Sequence, residues 1–194
     1  MTAPIHRIFD RPLDADLPKG FDQAIFGMGC YWGVERLFWR QEGVWLTEVG
    51  FAGGTLPDPD YKQVCEGTTG HAEVVRLIFD SSRISYERLL QLFWENHDPT
   101  QGNRQGNDTG TQYRSLIMYF NDSQRAAAEL SKVDYGNRLA VGGYPEITTQ
   151  ILPASPFFPA HEDHQQYLDR HPDGYCGLRG TGIQAPLTDL AEES

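Results

Sequence analysis

Residues 23–43 read QAIFGMGCYWGVERLFWRQEG, and the change of period inside this stretch decides the fold. Gln23 to Met28 is a short apolar run with the length and composition of a buried strand. From Cys30 onward Val34, Leu37 and Phe38 recur at helical spacing, while Glu35, Arg36 and Arg40 fall on the wet side. Gly43 ends that helix. The chain therefore passes from sheet to helix through a turn that places Cys30 between two glycines and just before two aromatic rings.

Working outward, Val44 to Phe51 reads as a second strand that closes in the turn FAGGTLPDPD. Glu73 to Phe79 (EVVRLIF) is a third strand carried by its β-branched residues. Ser85 is the expected N-cap of the helix SYERLLQLFWENH, with Leu89, Leu92 and Phe93 as its buried stripe. That helix stops before Asp98-Pro99, because a residue preceding proline avoids helical angles. After the polar stretch QGNRQGNDTGTQ, Ser115 to Phe120 reads as a fourth strand. Ser123 to about Tyr135 reads as a third helix, and Glu146 to Leu152 as a last strand. Up to Phe120 the order is strand, helix, strand, strand, helix, strand. It predicts an α+β fold, a mixed sheet with helices on one face. The chain reads as a single domain over 1–194. Residues 1–20 are expected to be poorly ordered or extended. The glycine-rich segment DGYCGLRGTGIQAP lacks periodicity, so 171–194 are expected to form a mobile tail.

Composition sets the outer limits. An apolar fraction of 39% in 194 residues supports an ordinary globular core. Sixteen basic against 27 acidic residues give a formal charge of −11, which argues against a phosphate-backbone partner. No apolar run approaches the ~20 residues of a membrane span. The first twenty residues lack the basic-then-apolar shape of a signal peptide, so the expected location is cytoplasmic. A monomer is the expected state. Cys30, Cys65 and Cys176 are too few and too far apart for a disulfide framework or a metal knuckle.

At the start of a helix, unpaired N–H groups favour an anion and lower a thiol's pKa. Strand-turn-helix placement is also a recurring nucleophile geometry. The alternative is that Cys30 is a small buried hydrophobe. A thiol hydrolase would need a histidine partner, and none of His71, His97, His161, His164 or His171 has a supporting local pattern. A metal module on His161, Glu162, Asp163 and His164 lacks HExxH spacing, and no metal is expected. Tyr61, Glu73, Asp108 and Tyr113 supply carboxylates and phenols in otherwise neutral polar segments; taken singly, each also reads as a loop residue or turn cap.

Five blocks in register carry a resemblance: GCYWG at 29–33, VGFAGG at 49–54, PDYKQVCEGTTGHAEVV at 59–75, FWENHDPTQGNRQGNDTGTQYRS at 93–115, and HQQYL with GYCG near the end. From about Gln23 to Gln184 the chain resembles the peptide methionine sulfoxide reductase A family. The resemblance implies a ferredoxin-like two-layer sandwich and Cys30 as nucleophile. Tyr31 and Trp32 would hold the substrate's methyl group, with Tyr31 standing where the family more often has phenylalanine. Glu73 would be the acid, with Tyr61, Asp108 and Tyr113 completing the polar side, and Cys176 the resolving thiol. Substrates would be methionine S-sulfoxide, free or in oxidised proteins. No bound cofactor is implied, and thioredoxin or another dithiol would be the external reductant. Gln184 stands where some members carry another recycling cysteine, so a single resolving step is implied. Cys65 is expected to be a dispensable structural thiol.

The chemistry fits those residue types. A sulfoxide sulfur is a good electrophile only when its oxygen is protonated or strongly hydrogen-bonded, so the site needs a thiolate on one side and proton donors on the other. A carboxyl donates near neutral pH only where burial holds its proton on. Attack leaves a sulfenic acid on Cys30, which a second thiol converts to a disulfide.

Overall fold

The computed structural model describes residues 3–57, 59 and 61–187. Its central element is β1 (Phe21–Met28), buried along its second half, which leads through Gly29 and Cys30 into α1 (Tyr31–Trp39). There follow β2 (Val44–Ala52), the short α2 (Tyr61–Cys65), β3 (Ala72–Asp80), α3 (Tyr86–Glu95), β4 (Ser115–Tyr119) and α4 (Asp122–Val141). β5 (Gln150–Pro153), β6 (Phe158–Pro159) and α5 (Tyr167–Arg170) complete the elements used below.

Six strands make one sheet in the order β6-β2-β3-β1-β4-β5. All neighbours are antiparallel except β4 and β5, which are parallel, so the sheet is mixed. The long helices all send their apolar stripes into one cluster. Val34 and Phe38 of α1, Leu89 and Phe93 of α3, and Tyr135 and Leu139 of α4 meet Phe26, Val75, Leu77 and Ile117 of the sheet. Each large side chain buried in this way is worth roughly 1.5–3 kcal/mol. The opposite face is covered without a long helix. Ile25, Val74, Leu116 and Met118 lie beneath Leu152 and Phe157, and Leu46 and Ile78 beneath Leu13. Burial on both faces is why the central strands read as unbroken apolar runs.

Ser85 caps α3 as expected, its hydroxyl accepting from Arg88 N at 3.1 Å. Elsewhere tertiary contacts override local signals. α4 runs past Gly136 to Val141 because Tyr135 and Leu139, both fully buried, hold its last turns on the core. The strand expected from Glu146 to Leu152 is confined to Gln150–Pro153, where β4 offers a partner, and the short β6 follows it. Glu35 is a clear correction: placed on the wet side of α1 by its charge, it is fully buried, because β2 and residues 165–166 close over it.

The terminal segments also differ from the sequence expectation where they are described. Ile5–His6 pairs with Arg11–Pro12, His6 is fully buried, and Leu13 packs on the sheet. At the other end Tyr135 and Tyr144 donate to the carbonyls of Ile183 and Thr181 at 3.1 and 3.0 Å. Ala185 is buried, exchanging hydrogen bonds with Glu95 and Gln91 of α3. Side chains of α3, α4 and the loop after α4 thus anchor a stretch whose glycines alone suggest freedom. Residues 1–2 and 188–194 of those expectations lie outside the described residues.

Candidate active site

The site starts from the turn between β1 and α1. Gly29 has φ +90°, a left-handed conformation that L side chains rarely adopt, and a Cβ there would stand 2.7 Å from the Gln105 side chain. Gln105 cannot yield, since its amide is held by Asp98 N and O at 3.1 and 2.8 Å. The glycine before Cys30 is therefore required on both counts, and it lets the polar loop 98–113 close onto the turn.

Cys30 is the N-cap residue of α1 and is partly buried. The helix start was expected to lower its pKa. Burial and then the nearby Glu73 push the thiol up instead, and only the Trp32 backbone N–H pulls the other way. One amide cannot offset the loss of water around a thiolate. The thiol of the free protein accordingly holds its proton at neutral pH.

Glu73 projects from β3 beneath that turn and is 2% exposed. Its Oε2 accepts from Tyr31 N at 3.1 Å, and burial, with Asp108 adding to it, pushes the carboxyl up to about 8. A carboxyl in that state carries its proton at pH 7 and can give it away. Tyr113 lies within electrostatic range of Glu73, Asp108 and Cys30, and Tyr61 within range of Glu73 and Tyr113. Burial pushes both phenols up, so each remains an O–H donor. Asp108 accepts from Tyr175 Oη at 2.8 Å.

All three cysteines are free, and Cys176 is exposed. A Cβ on Gly33 would be 2.8 Å from Cys176 Sγ, so that sulfur rests on the first turn of α1, in electrostatic range of Cys30. Cys65 lies apart from Cys30 and Cys176, on α2. It is exposed, and its thiol lies against the Tyr61 hydroxyl, since both sit on the single turn of α2.

The aromatic side is led by Trp32, whose indole stacks on Tyr167 at 4.0 Å and 17° and donates to His164 Nδ1 at 3.3 Å. Tyr61 lies on the same imidazole, ring centroids 4.4 Å apart. Tyr31 is 1% exposed among Phe51, His164 and Trp32, and its hydroxyl has no hydrogen-bond partner. The buried histidines are committed away from Cys30: His97 bonds Phe93 O and Ser115, His71 bonds Gly54 N and Leu56 O, and His6 bonds Thr47 and the backbone of Ile8 and Phe9. Among the described residues no group of three or more His, Cys, Asp or Glu could hold a metal ion.

With this geometry in place, the family model described as peptide methionine sulfoxide reductase matches residues 22–191. The chain belongs to that family. It is 55% identical to peptide methionine sulfoxide reductase MsrA of Azotobacter vinelandii over 181 residues, 93% of this chain and 84% of that protein. Methionine sulfoxide reductase A of Corynebacterium diphtheriae superposes with a TM-score of 0.79 at 38% identity, covering 95% of this chain and 90% of that one. Mxr1 from Saccharomyces cerevisiae in reduced form gives 0.72 at 32% identity, covering 84% and 94%. The same yeast protein in complex with Trx2 gives 0.52 at 18% identity over 91% and 96%, a likeness of fold alone.

The structure gathers all eight sequence-derived reductase positions, Cys30, Tyr31, Trp32, Tyr61, Glu73, Asp108, Tyr113 and Cys176, around one turn. Sequence reasoning missed four neighbours: Tyr175 on Asp108, His164 and Tyr167 on Trp32, and Glu35 behind the turn. The first three lie in the quoted blocks HQQYL and GYCG, and that was the available signal. Glu35 gave none, because a charge on an amphipathic helix reads as solvated.

Proposed function

We propose that this chain reduces methionine S-sulfoxide, free or in oxidised proteins, as a peptide-methionine (S)-S-oxide reductase. The observation that carries the reading is the pairing of Cys30 at a helix start with a buried Glu73 that keeps its proton to about pH 8. The sulfoxide's methyl group lies against Trp32, and its oxygen faces Glu73, Tyr61 and Tyr113. Glu73 gives its proton to that oxygen and takes up the Cys30 proton in exchange as the sulfur attacks, so the carboxyl ends the step as it began. The S–O bond passes from substrate to enzyme: methionine leaves, and Cys30 becomes a sulfenic acid. Asp108, braced by Tyr175, orients the loop that carries Tyr113.

Cys176 then attacks the sulfenic sulfur, forming the Cys30–Cys176 disulfide and releasing water. This step needs only a local shift of the segment around Cys176, between the anchors of residues 181–185 and the helix α5. That confines the mobile tail of the sequence reading to its cysteine-bearing part. An external dithiol resets the pair by exchange at the exposed Cys176 sulfur. Thioredoxin is the reductant of that class, as the yeast relative solved with Trx2 suggests. The reaction requires no bound cofactor. The strand order β2-β3-β1-β4, with α1 and α3 following β1 and β3, supports a ferredoxin-like two-layer core in one catalytic domain. Among the described residues no helix is long and apolar enough to cross a membrane; a cytoplasmic monomer completes the reading.

The test is a single turnover without reductant. Reduced protein mixed with methionine S-sulfoxide should yield about one methionine per chain, with Cys30 joined to Cys176 and Cys65 free. No methionine overturns the reductase reading. Methionine without that disulfide overturns only the role of Cys176.

A further inference from the structure

The block HQQYL at 164–168 is absorbed only in part by the chemistry above. Its His164 and Tyr167 touch Trp32, but the two glutamines between them do not. Both are buried, at 3% and 1% exposure. Gln165 grips the backbone of β2, accepting from Val49 N at 2.9 Å and donating to Val49 O and Ala160 O at 2.8 and 3.0 Å. Gln166 turns the other way, toward α1. Its backbone N–H reaches Glu35 Oε2 at 2.8 Å, and its amide Nε2 reaches Glu35 Oε1 at 2.7 Å.

Gln166 is one of two non-glycine residues with positive φ among those described, at φ 47° and ψ 40°. A side chain held in that region needs its surroundings to hold it there. Glu35 does so with two hydrogen bonds to one residue. The left-handed turn at Gln166 directly precedes α5, and it aims the Tyr167 ring onto the indole of Trp32.

The donors around Glu35 are fixed by a chain of bonds. His6 Nδ1 accepts from the backbone N–H groups of Ile8 and Phe9, so the neutral ring carries its hydrogen on Nε2 and gives it to Thr47 Oγ1 at 2.9 Å. The Thr47 hydroxyl therefore gives its own hydrogen to Glu35 Oε1, at 3.0 Å. Three donors from β2 and the 166 turn converge on one carboxylate. Glu35 itself sits three residues after Trp32 on the same helix.

We propose that Glu35 is a positioning residue for Trp32: through Gln166 it holds the His164–Tyr167 turn against the indole and so fixes the wall that receives the substrate's methyl group. The inference rests on the reading of Trp32 as that wall. A glutamine at position 35 cannot substitute, because its NH2 must face a donor, either the Gln166 N–H or the amide and hydroxyl on the other oxygen. Released from Glu35, the turn loses both bonds that tie it to α1 and keeps only those of Arg7 N to the Gln166 amide oxygen and of Asp169 and Arg170 N–H to its carbonyl, so Tyr167 no longer meets the indole squarely.

The test is a double-mutant cycle on KM and kcat for free methionine S-sulfoxide, using Glu35→Gln, Trp32→Phe and the pair. Glu35→Gln should raise KM about fivefold or more while kcat stays within about twofold. In the Trp32→Phe background the same change should have almost no further effect on KM. Gln166→Ala, which keeps the strained left-handed backbone but removes the amide, should repeat this pattern and serves if Glu35→Gln does not fold. An unchanged KM in Glu35→Gln or in Gln166→Ala, with Trp32→Phe raising it, overturns the proposal and leaves the Trp32 reading intact. Additive effects in the pair also overturn it, since Glu35 would then act elsewhere. An unchanged KM in Trp32→Phe overturns the Trp32 reading, and the proposal falls with it.

Discussion

Glu73, against the start of α1, and Glu35, within it, are both buried and both shifted upward, yet the structure prepares them for different work. Glu73 meets a single donor, the Tyr31 N–H, and burial pushes it up to about 8. Glu35 meets three, and burial pushes it only to about 7, the Gln166 and Thr47 bonds pulling it back. Burial alone does not make a carboxyl an acid catalyst. A carboxylate with its lone pairs filled is a bracket; one with a single partner, in reach of a cleft with phenols, has a proton to deliver.

The largest effect should separate the two directly. Glu73→Gln should slow methionine formation in a single turnover at pH 7 by about 10²–10⁴-fold, the usual range for a lost general acid. Equal losses of kcat in Glu73→Gln and Glu35→Gln would break the comparison.

A second effect sharpens it through pH. Below about 8 Glu73 holds its proton, so the first-step rate should be level there and fall as pH rises through that value. Rapid-quench measurement in wild type and in Glu73→Gln, which should lack the fall, checks this. A wild-type rate that climbs through pH 8 would show instead that ionisation of Cys30 limits the step.

The third effect is on stability, and its sign follows from linkage. In the unfolded chain Glu35, Glu48 and Glu73 ionise near the ordinary carboxylate value, while in the folded protein burial raises all three. Between the ordinary value and about 8 the folded state binds more protons, so stability is complete at low pH and lost as pH rises through the folded values. Urea midpoints should fall from pH 5 to pH 9 from these groups, and Glu73→Gln should flatten that slope. A slope unchanged by the substitution would mean that Glu73 is ionised in the fold.

The smallest effect concerns Tyr31. Its hydroxyl is buried without a partner, so Tyr31→Phe should leave turnover within about twofold and raise stability by up to about 1 kcal/mol. A large loss of activity would show that the hydroxyl meets the substrate after all.

Much of this was legible before any coordinates. The apolar run Gln23–Met28 and the stripe Val34, Phe38 each report a local period, and period is a property of the chain itself. The proposed catalytic positions were legible for a different reason: Cys30, Glu73 and Cys176 lie in motif blocks whose order matched a family. The rest was hidden where a residue's fate depends on distant parts of the chain. Cys30 follows the helix-start rule in place but not in acidity, since desolvation comes from elements far away in sequence. The tail from Thr181 to Ala185 reads as loose because its anchors, Tyr135, Tyr144 and Glu95, belong to other segments.

The sequence by itself determined the element order and the turn that carries Cys30, because both are written in local spacing, and the family to which the chain belongs, because its motif blocks match that family in order. Only the tertiary structure decided which carboxyl keeps its proton, which one is saturated by donors, and how Trp32 is gripped. Those outcomes depend on burial and on hydrogen-bond partners far apart in the chain, 42 residues for Tyr31 with Glu73 and 131 for Glu35 with Gln166. Desolvation has no period to read; it exists only once the chain has closed around the group.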